Sequence, residues 1–264
     1  MVNCFFNYIC IFFQIYNIME THLHFQRLLS TNNYLIDLVD KHAAFFFPPY
    51  FSVTADEQTC GRGQQSKKWE SEFGKNLLVS LLLYPDIQAK KQFTICQYVS
   101  IAIADFIKET CSIPNVYIKW PNDIYINNKK AAGILIEHFI RGEIINYSIV
   151  GIGLNINQTV FSSSLPNATS LCLETGQKYE PIECMKTMIE RMKQTEKLSE
   201  DELKTRYLSY LYKKDEFSNF IIHRISDNPV SLMIKSVNEL GLLELLDKNN
   251  NPHCYAFNEI VYLR

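Results

Sequence analysis

The chain lacks several features that would narrow its class at once. It has eight cysteines but no C-x-x-C pair and no paired spacing, which argues against a zinc site and reads as scattered thiols of a reducing, cytoplasmic compartment. It lacks an excess of either charge. With 26 Lys and Arg against 28 Asp and Glu the net charge is −2, so no global basic field points to nucleic acid or to a membrane surface. No stretch supplies the ~20 apolar residues of a membrane span. No internal repeat or low-complexity tract is visible.

The first eighteen residues, MVNCFFNYICIFFQIYNI, are aromatic and β-branched, yet no Lys or Arg precedes the apolar run and no small-residue cleavage site follows it. This excludes the usual form of a secretory signal. Met19 opens a polar segment that looks like a natural beginning, so translation is expected to start there, with 1–18 a non-native extension.

What is present suits one large domain with a small appendage: 264 residues, 47% hydrophobic and 20% charged. STNNYLIDLVDKH (30–42) reads as a Ser-capped amphipathic helix, and NLLVSLLLYP (76–85) as a buried strand stopped by Pro85. The segment KKQFTICQYVSIAIADFIKETC places Ile95, Val99, Ala102 and Phe106 at helical spacing. Short strands follow, VYIKW, IYI, AAGILIE and IINYSIVGIGLNI, with Asn127-Asn128 suiting a turn that needs positive φ. The segments PIECMKTMIERMK and EDELKTRYLSYLYKKDEF read as helices that close a main domain over 19–217. From 218 to 264 short strands recur, as in a small β barrel packed on the larger part. Helices and antiparallel strands come in blocks, which gives an α+β class.

Four segments carry polar residues or glycines where the pattern asks for apolar ones. CGRGQQSKKWE (60–70) belongs to a stretch, 61–75, in which four cations face only Glu70 and Glu72. It is a solvated hairpin loop or a cationic device for phosphate. IKWPNDIYINNKKAAGILIE (118–137) sets Asp123 between Lys119 and Lys130, a combination suited to Mg²⁺ and a triphosphate. Taken locally, an ordinary turn and an edge-strand lysine explain it as well. Gly133 removes a side chain inside an apolar strand. In VGIGLNIN (150–157), Gly151 and Gly153 leave one strand face bare, a floor for a flat ligand, and Asn155 and Asn157 would continue that face; a twisted, bulged strand is the plain alternative. Ser30-Thr31-Asn32 reads first of all as a helix cap.

Together and in this order, the four segments resemble the class I biotin protein ligases. The likeness runs from about Phe25 to Arg264 through STN, the Gly-Arg-Gly loop from Gln58 to Trp69, KWPND, K-x-x-G-I-L-x-E and GxGxNxN. It implies a mixed sheet like that of class II aminoacyl-tRNA synthetases, with an SH3-like C-terminal barrel. The implied activity is ATP-dependent biotinylation of a biotin carboxyl carrier protein through biotinyl-5′-AMP, with Mg²⁺. By position, Arg62, Lys130 and Asp123 would be catalytic, Asp123 serving the metal or orienting the incoming lysine. Ser30, Thr31, Asn32, Gln58, Gly61 and Gly133 would line the biotin site together with Arg62 and Lys130. Gln64, Trp69, Asn122, Asn155 and Arg264 would serve the nucleotide.

One departure stands out. The family loop reads GRGRxG, whereas here Gln64 replaces the second arginine and Ser66 the third glycine. A lipoate or octanoate transferase on the same scaffold is the nearest rival. Fewer than 30 residues precede the Ser30 helix, too few for a helix-turn-helix module, so a repressor role is not expected. A non-catalytic binding protein would fit the altered loop, but Arg62, Asp123 and Lys130 are all retained. The strand IINYSIV could pair across a two-fold axis in a homodimer or lie inside the sheet.

Overall fold

A computed structural model describes residues 21–42, 47–64, 67–223 and 226–263. The segment 1–18, the start at Met19, the loop residues Gln65 and Ser66, and Arg264 lie outside the described residues.

The first sheet has seven strands. In chain order they are β1 (His22–Leu28), β2 (Ser52–Gln58), β3 (Leu77–Leu83), β4 (Val116–Lys119), β5 (Asp123–Ile126), β6 (Lys129–Arg141) and β7 (Ile144–Leu154). Their spatial order is β1-β2-β3-β7-β6-β5-β4. Only β1 and β2 pair parallel, joined through helix α1 (Thr31–His42); every other neighbour pair is antiparallel. Strand β7 sits between β3 and β6, so IINYSIV lies inside the sheet, one of the two placements its sequence left open.

Helix α2 (Phe93–Asp105) packs one sheet face together with α4 (Pro181–Thr195) and α5 (Glu200–Tyr210). Its predicted stripe of Ile95, Val99, Ala102 and Phe106 is at most 1% exposed. The opposite face carries α1, whose Leu35 and Val39 join Val53, Leu82 and Ile149 in a smaller core. Short helix α3 (Leu171–Thr175) follows the β7 strand. Helix α5 ends at Tyr210, earlier than its sequence pattern suggested: Leu211 is already extended, with ψ of 119°, and Lys213 and Asp215 follow with φ of 58° and 61°. That left-handed conformation cannot propagate a helix.

The second sheet, β11-β10-β9-β8-β12, is antiparallel and built from β8 (Phe217–Ile222), β9 (Ser226–Val237), β10 (Leu243–Leu246), β11 (Pro252–Tyr255) and β12 (Ile260–Tyr262). Its Phe220, Ile234 and Leu245 belong to the same contiguous core as α2 and the first sheet. Two contacts pin the units together. Trp120 Nε1 donates to the carbonyl of Gly241 at 2.9 Å, and the Trp120 ring meets Phe257 edge-on at 5.9 Å. The α+β class with a small C-terminal β unit is as the sequence suggested.

Candidate active site

A cavity of about 330 Å³ opens where the N-terminus of α1, the Gly-Arg-Gly loop, the β4–β5 turn and the β12 end of the second sheet meet. Segments separated by some two hundred residues thus share one hollow.

At its inner end the start of α1 is tied down by a chain of hydrogen bonds. The Thr31 amide and hydroxyl both donate to Gln58 Oε1, at 2.8 and 3.1 Å. Ser80, on β3 and 0% exposed, lies 2.8 Å from Thr31 Oγ1 and 2.5 Å from Asn32 Oδ1. An amide oxygen only accepts, so Ser80 is the donor to Asn32. Asn32 Nδ2 then donates to Glu137 Oε2 at 2.8 Å. Ser30 caps the helix, its hydroxyl 3.4 Å from the Asn33 amide. Gly151 is bare for this reason: a Cβ there would stand 2.3 Å from Asn32 Oδ1.

In the middle, Gly133 and Gly153 face each other across β6 and β7. The floor they leave is filled by the protein's own indole, in place of the flat ligand that the spacing of Gly151 and Gly153 suggested. A Cβ on Gly153 would lie 2.3 Å from Trp69 Cε2, and one on Gly133 would lie 2.9 Å from Trp69 Cζ3. Gly61 brings the loop in just as closely, since its Cβ would meet the Trp69 carbonyl at 2.6 Å. Two buried polar atoms of the loop, Trp69 Nε1 and Gln64 Oε1, have no hydrogen-bond partner. Both residues line the cavity.

Beside the indole, Lys130 Nζ forms an ion pair with Asp123 Oδ1 at 2.6 Å and stands 5.5 Å from the Trp69 ring centroid. The β5–β6 register slips between Ile124 and Tyr125, which sets Asp123 opposite Gly133 and Lys130 opposite Tyr125. Asn122 is fixed at the turn: its Nδ2 donates to the Ile134 carbonyl at 2.6 Å, and the Ile134 amide donates back to the Asn122 carbonyl at 2.9 Å. Lys119 Nζ lies 5.0 and 4.8 Å from the Tyr125 and Tyr262 ring centroids, within cation–π range. Burial holds the Tyr262 phenol far above its ordinary pKa. Arg62 turns to the rim, where Nη2 donates to Glu137 Oε1 at 2.8 Å and Nη1 to Asn33 Oδ1 at 2.5 Å.

The sequence of residues 26–155 matches the Biotin/lipoate A/B protein ligase family. The match covers just under half of the chain. Among curated relatives, it is 37% identical over 167 residues to the bifunctional ligase/repressor BirA of Bacillus subtilis, a match covering 62% of this chain and 50% of that protein. It is 33% identical over 136 residues to the biotin–[acetyl-CoA-carboxylase] ligase of Paracoccus denitrificans, covering 50% of this chain and 56% of the relative. The chain therefore spans about half the length of these ligases. Its fold is similar to the biotin protein ligase of Aquifex aeolicus in complex with biotin and ATP, with a TM-score of 0.71 at 24% identity over 92% of this chain and 98% of that one.

Not every residue suggested by the ligase resemblance reaches the cavity. Asn155 does not line it: strand β7 stops at Leu154, the alternation of faces stops with it, and Asn155 Nδ2 turns inward to the Thr169 carbonyl at 2.9 Å. Asn157 is likewise committed, bonding both the carbonyl and the amide of Tyr179. Gly61, expected in the biotin site, does not line the cavity either and packs against the Trp69 carbonyl, whereas Ser30, Thr31, Asn32, Gln58, Arg62, Gln64, Trp69, Asn122, Asp123, Lys130 and Gly133 do converge there. Ser80 was not singled out from the sequence, and Glu137 entered only as the last residue of K-x-x-G-I-L-x-E, with no role assigned to it. The one signal for Ser80 is a lone hydroxyl in the apolar run LLVSLLL.

Proposed function

We propose that the chain is an ATP-dependent biotin protein ligase. In the first step the biotin carboxylate attacks the α-phosphate of ATP, giving biotinyl-5′-AMP and pyrophosphate. In the second, a lysine amine of a biotin carboxyl carrier protein attacks the acyl carbon, loses a proton and displaces AMP. A carboxylate is a poor electrophile at neutral pH, so a mixed anhydride with a good leaving group must come first. The matched family includes both biotin and lipoate ligases, and the names of the relatives support biotin over lipoate chemistry.

The observation that carries the reading is the placement of Lys130 beside Asp123 and the Trp69 slot, with Arg62 of the loop at the rim of the same cavity. Negative charge grows on phosphate in the transition state, and fixed cations out of bulk water stabilise it. The polar start of α1, with Ser30, Thr31, Asn32 and Gln58, suits the vitamin. Gln64, Trp69 and Asn122 suit the nucleotide, where Trp69 offers its ring face and an N–H to be satisfied.

Mg²⁺ usually keeps several waters and takes one or two carboxylates plus substrate phosphates. Asp123 fits that need as the carboxylate beside Lys130, and no cluster of three metal-ligating side chains occurs among the described residues. When bound, the ion would neutralise phosphate charge. Asp123 meanwhile sets the Lys130 ammonium toward the slot.

A cytoplasmic setting is supported by the free thiols of the six described cysteines. No described helix is long and apolar enough to cross a membrane. The test is ATP–pyrophosphate exchange with biotin and lipoate offered side by side. Biotin-dependent exchange is expected, and exchange driven by lipoate alone overturns the reading.

A further inference from the structure

Glu137 carries contacts that no step of the proposed reaction uses. It accepts from Asn32 Nδ2 at 2.8 Å through Oε2 and from Arg62 Nη2 at 2.8 Å through Oε1, with Arg62 Nη1 at 3.4 Å from Oε2. The other hold on Arg62 is Asn33 Oδ1, 2.5 Å from Nη1. The two Nη groups make the prong with which a guanidinium grips a carboxylate. Both are turned to acceptors on β6 and on the first turn of α1, at the cavity rim.

We propose that Glu137 is a counter-ion that competes with the ligand's carboxylate for Arg62. The acid group of the incoming ligand displaces Glu137 from the guanidinium, while Asn32 stays on Glu137 and keeps the helix start in place. This rests on the biotin ligase reading and names a positioning residue for it, acting through Arg62. The Arg62 and Glu137 side chains are 41% and 25% exposed, so the pair is a weak, reversible one. A binding-competent state that is only partly populated raises the apparent dissociation constant by the same fraction. An exposed ion pair of this kind sets that factor at about two to five. A ligand without a negative charge makes no such exchange, and Glu137 is neutral towards it.

The two cases separate by calorimetry on the full chain with biotin and with its uncharged carboxamide. Glu137→Gln keeps an oxygen for Asn32 Nδ2 and removes the charge that holds Arg62. This variant is expected to bind biotin about two to five times tighter, with affinity for the carboxamide unchanged. Asn33→Ala releases the other hold without altering any charge, on a side chain exposed at the helix surface. It is expected to move the biotin-to-carboxamide ratio in the same direction, and it carries the test alone should Glu137→Gln not fold.

A ratio unchanged in the variants overturns the proposal. So does equal weakening of both ligands, the mark of a residue that only props Asn32. A shift in Glu137→Gln with none in Asn33→Ala is the field of a missing charge acting at a distance, and it overturns the exchange too. Each of these leaves the ligase reading intact. Failure of the unaltered protein to bind biotin removes both.

Discussion

Lys130 Nζ and Asp123 Oδ1 form a 2.6 Å ion pair against the edge of the Trp69 slot. The carboxylate holds the ammonium in one orientation, which a lone, half-exposed lysine would not keep. Lys130→Met keeps length and apolar stem but removes the charge. By analogy with losing one oxyanion donor, exchange of pyrophosphate into ATP should fall about 10²- to 10³-fold. Asp123→Asn leaves the cation present but looser, so a smaller loss, about tenfold, is expected in the same assay. Equal losses in the two variants would instead give Asp123 a direct part in the chemistry, through the metal ion.

A methyl group placed on Gly153 has nowhere to go, because the Trp69 ring atoms lie 2.3 to 2.8 Å from it. Overpacking of this kind costs about 1–3 kcal/mol, and the Trp69 side chain can shift more readily than the paired strands. Gly153→Ala should therefore expel the indole and leave the fold standing. Iodide quenching of tryptophan fluorescence should rise in the variant, and biotin-dependent exchange should drop at least tenfold as the nucleotide side loses its wall. Quenching identical to the unaltered protein would show that the indole does not rest on these glycines.

The elements legible from sequence are those whose pattern is local. Helix α2 declares itself by Ile95, Val99, Ala102 and Phe106, and the β5–β6 turn by Asn127, which has a φ of 54°. Strand β1 was not legible. It is an edge strand with exposed His24, Gln26 and Arg27, and its only partner is β2, thirty residues further on. The C-terminal strand β8 falls in the run of short strands expected from 218 and starts one residue earlier, at the exposed Phe217. At the site, residue identities pointed to the right cavity, yet what each one touches was invisible. Alternation along VGIGLNIN put Asn155 on the glycine face, and only the end of the strand at Leu154 reverses that. The coupling of Ser80, Asn32 and Glu137 joins three segments that no spacing rule connects.

His138 gives the fold a pH dependence unrelated to catalysis. It pairs across β6 and β7 with Ser148, whose Oγ is 2.9 Å from its Nδ1, and burial lowers its pKa from 6.5. As pH falls through 6.5 the unfolded chain takes up the proton first, so stability declines until the folded form is protonated as well. The contribution is fully present above 6.5 and lost on acidification. Melting temperatures at pH 7.5 and 5.5 should differ less in His138→Gln than in the unaltered protein. A difference of the same size would place the acid sensitivity on other groups.

Gln64 is the point where this loop departs from the Gly-Arg-Gly-Arg pattern of the family it resembles. Its Oε1 is buried without a partner, and the amide that replaces a guanidinium brings a donor but no charge. A hydrogen bond to a charged group contributes about 1.5–3 kcal/mol, against about 1 kcal/mol for a neutral one. The difference, about 1 kcal/mol, corresponds to roughly a fivefold change in the dissociation rate of an anionic adenylate. Lys67 and Lys68 line the same cavity, but as flexible point charges they cannot reproduce a planar, two-pronged contact. Gln64→Arg is therefore expected to slow release of pre-bound biotinyl-5′-AMP about fivefold or more in a chase experiment. Because the change adds a charge on the proposed nucleotide side of the cavity, affinity for biotin without nucleotide should stay where it was. An unaltered off-rate would mean that the lysines already hold the phosphate, and that the missing arginine left no deficit to fill.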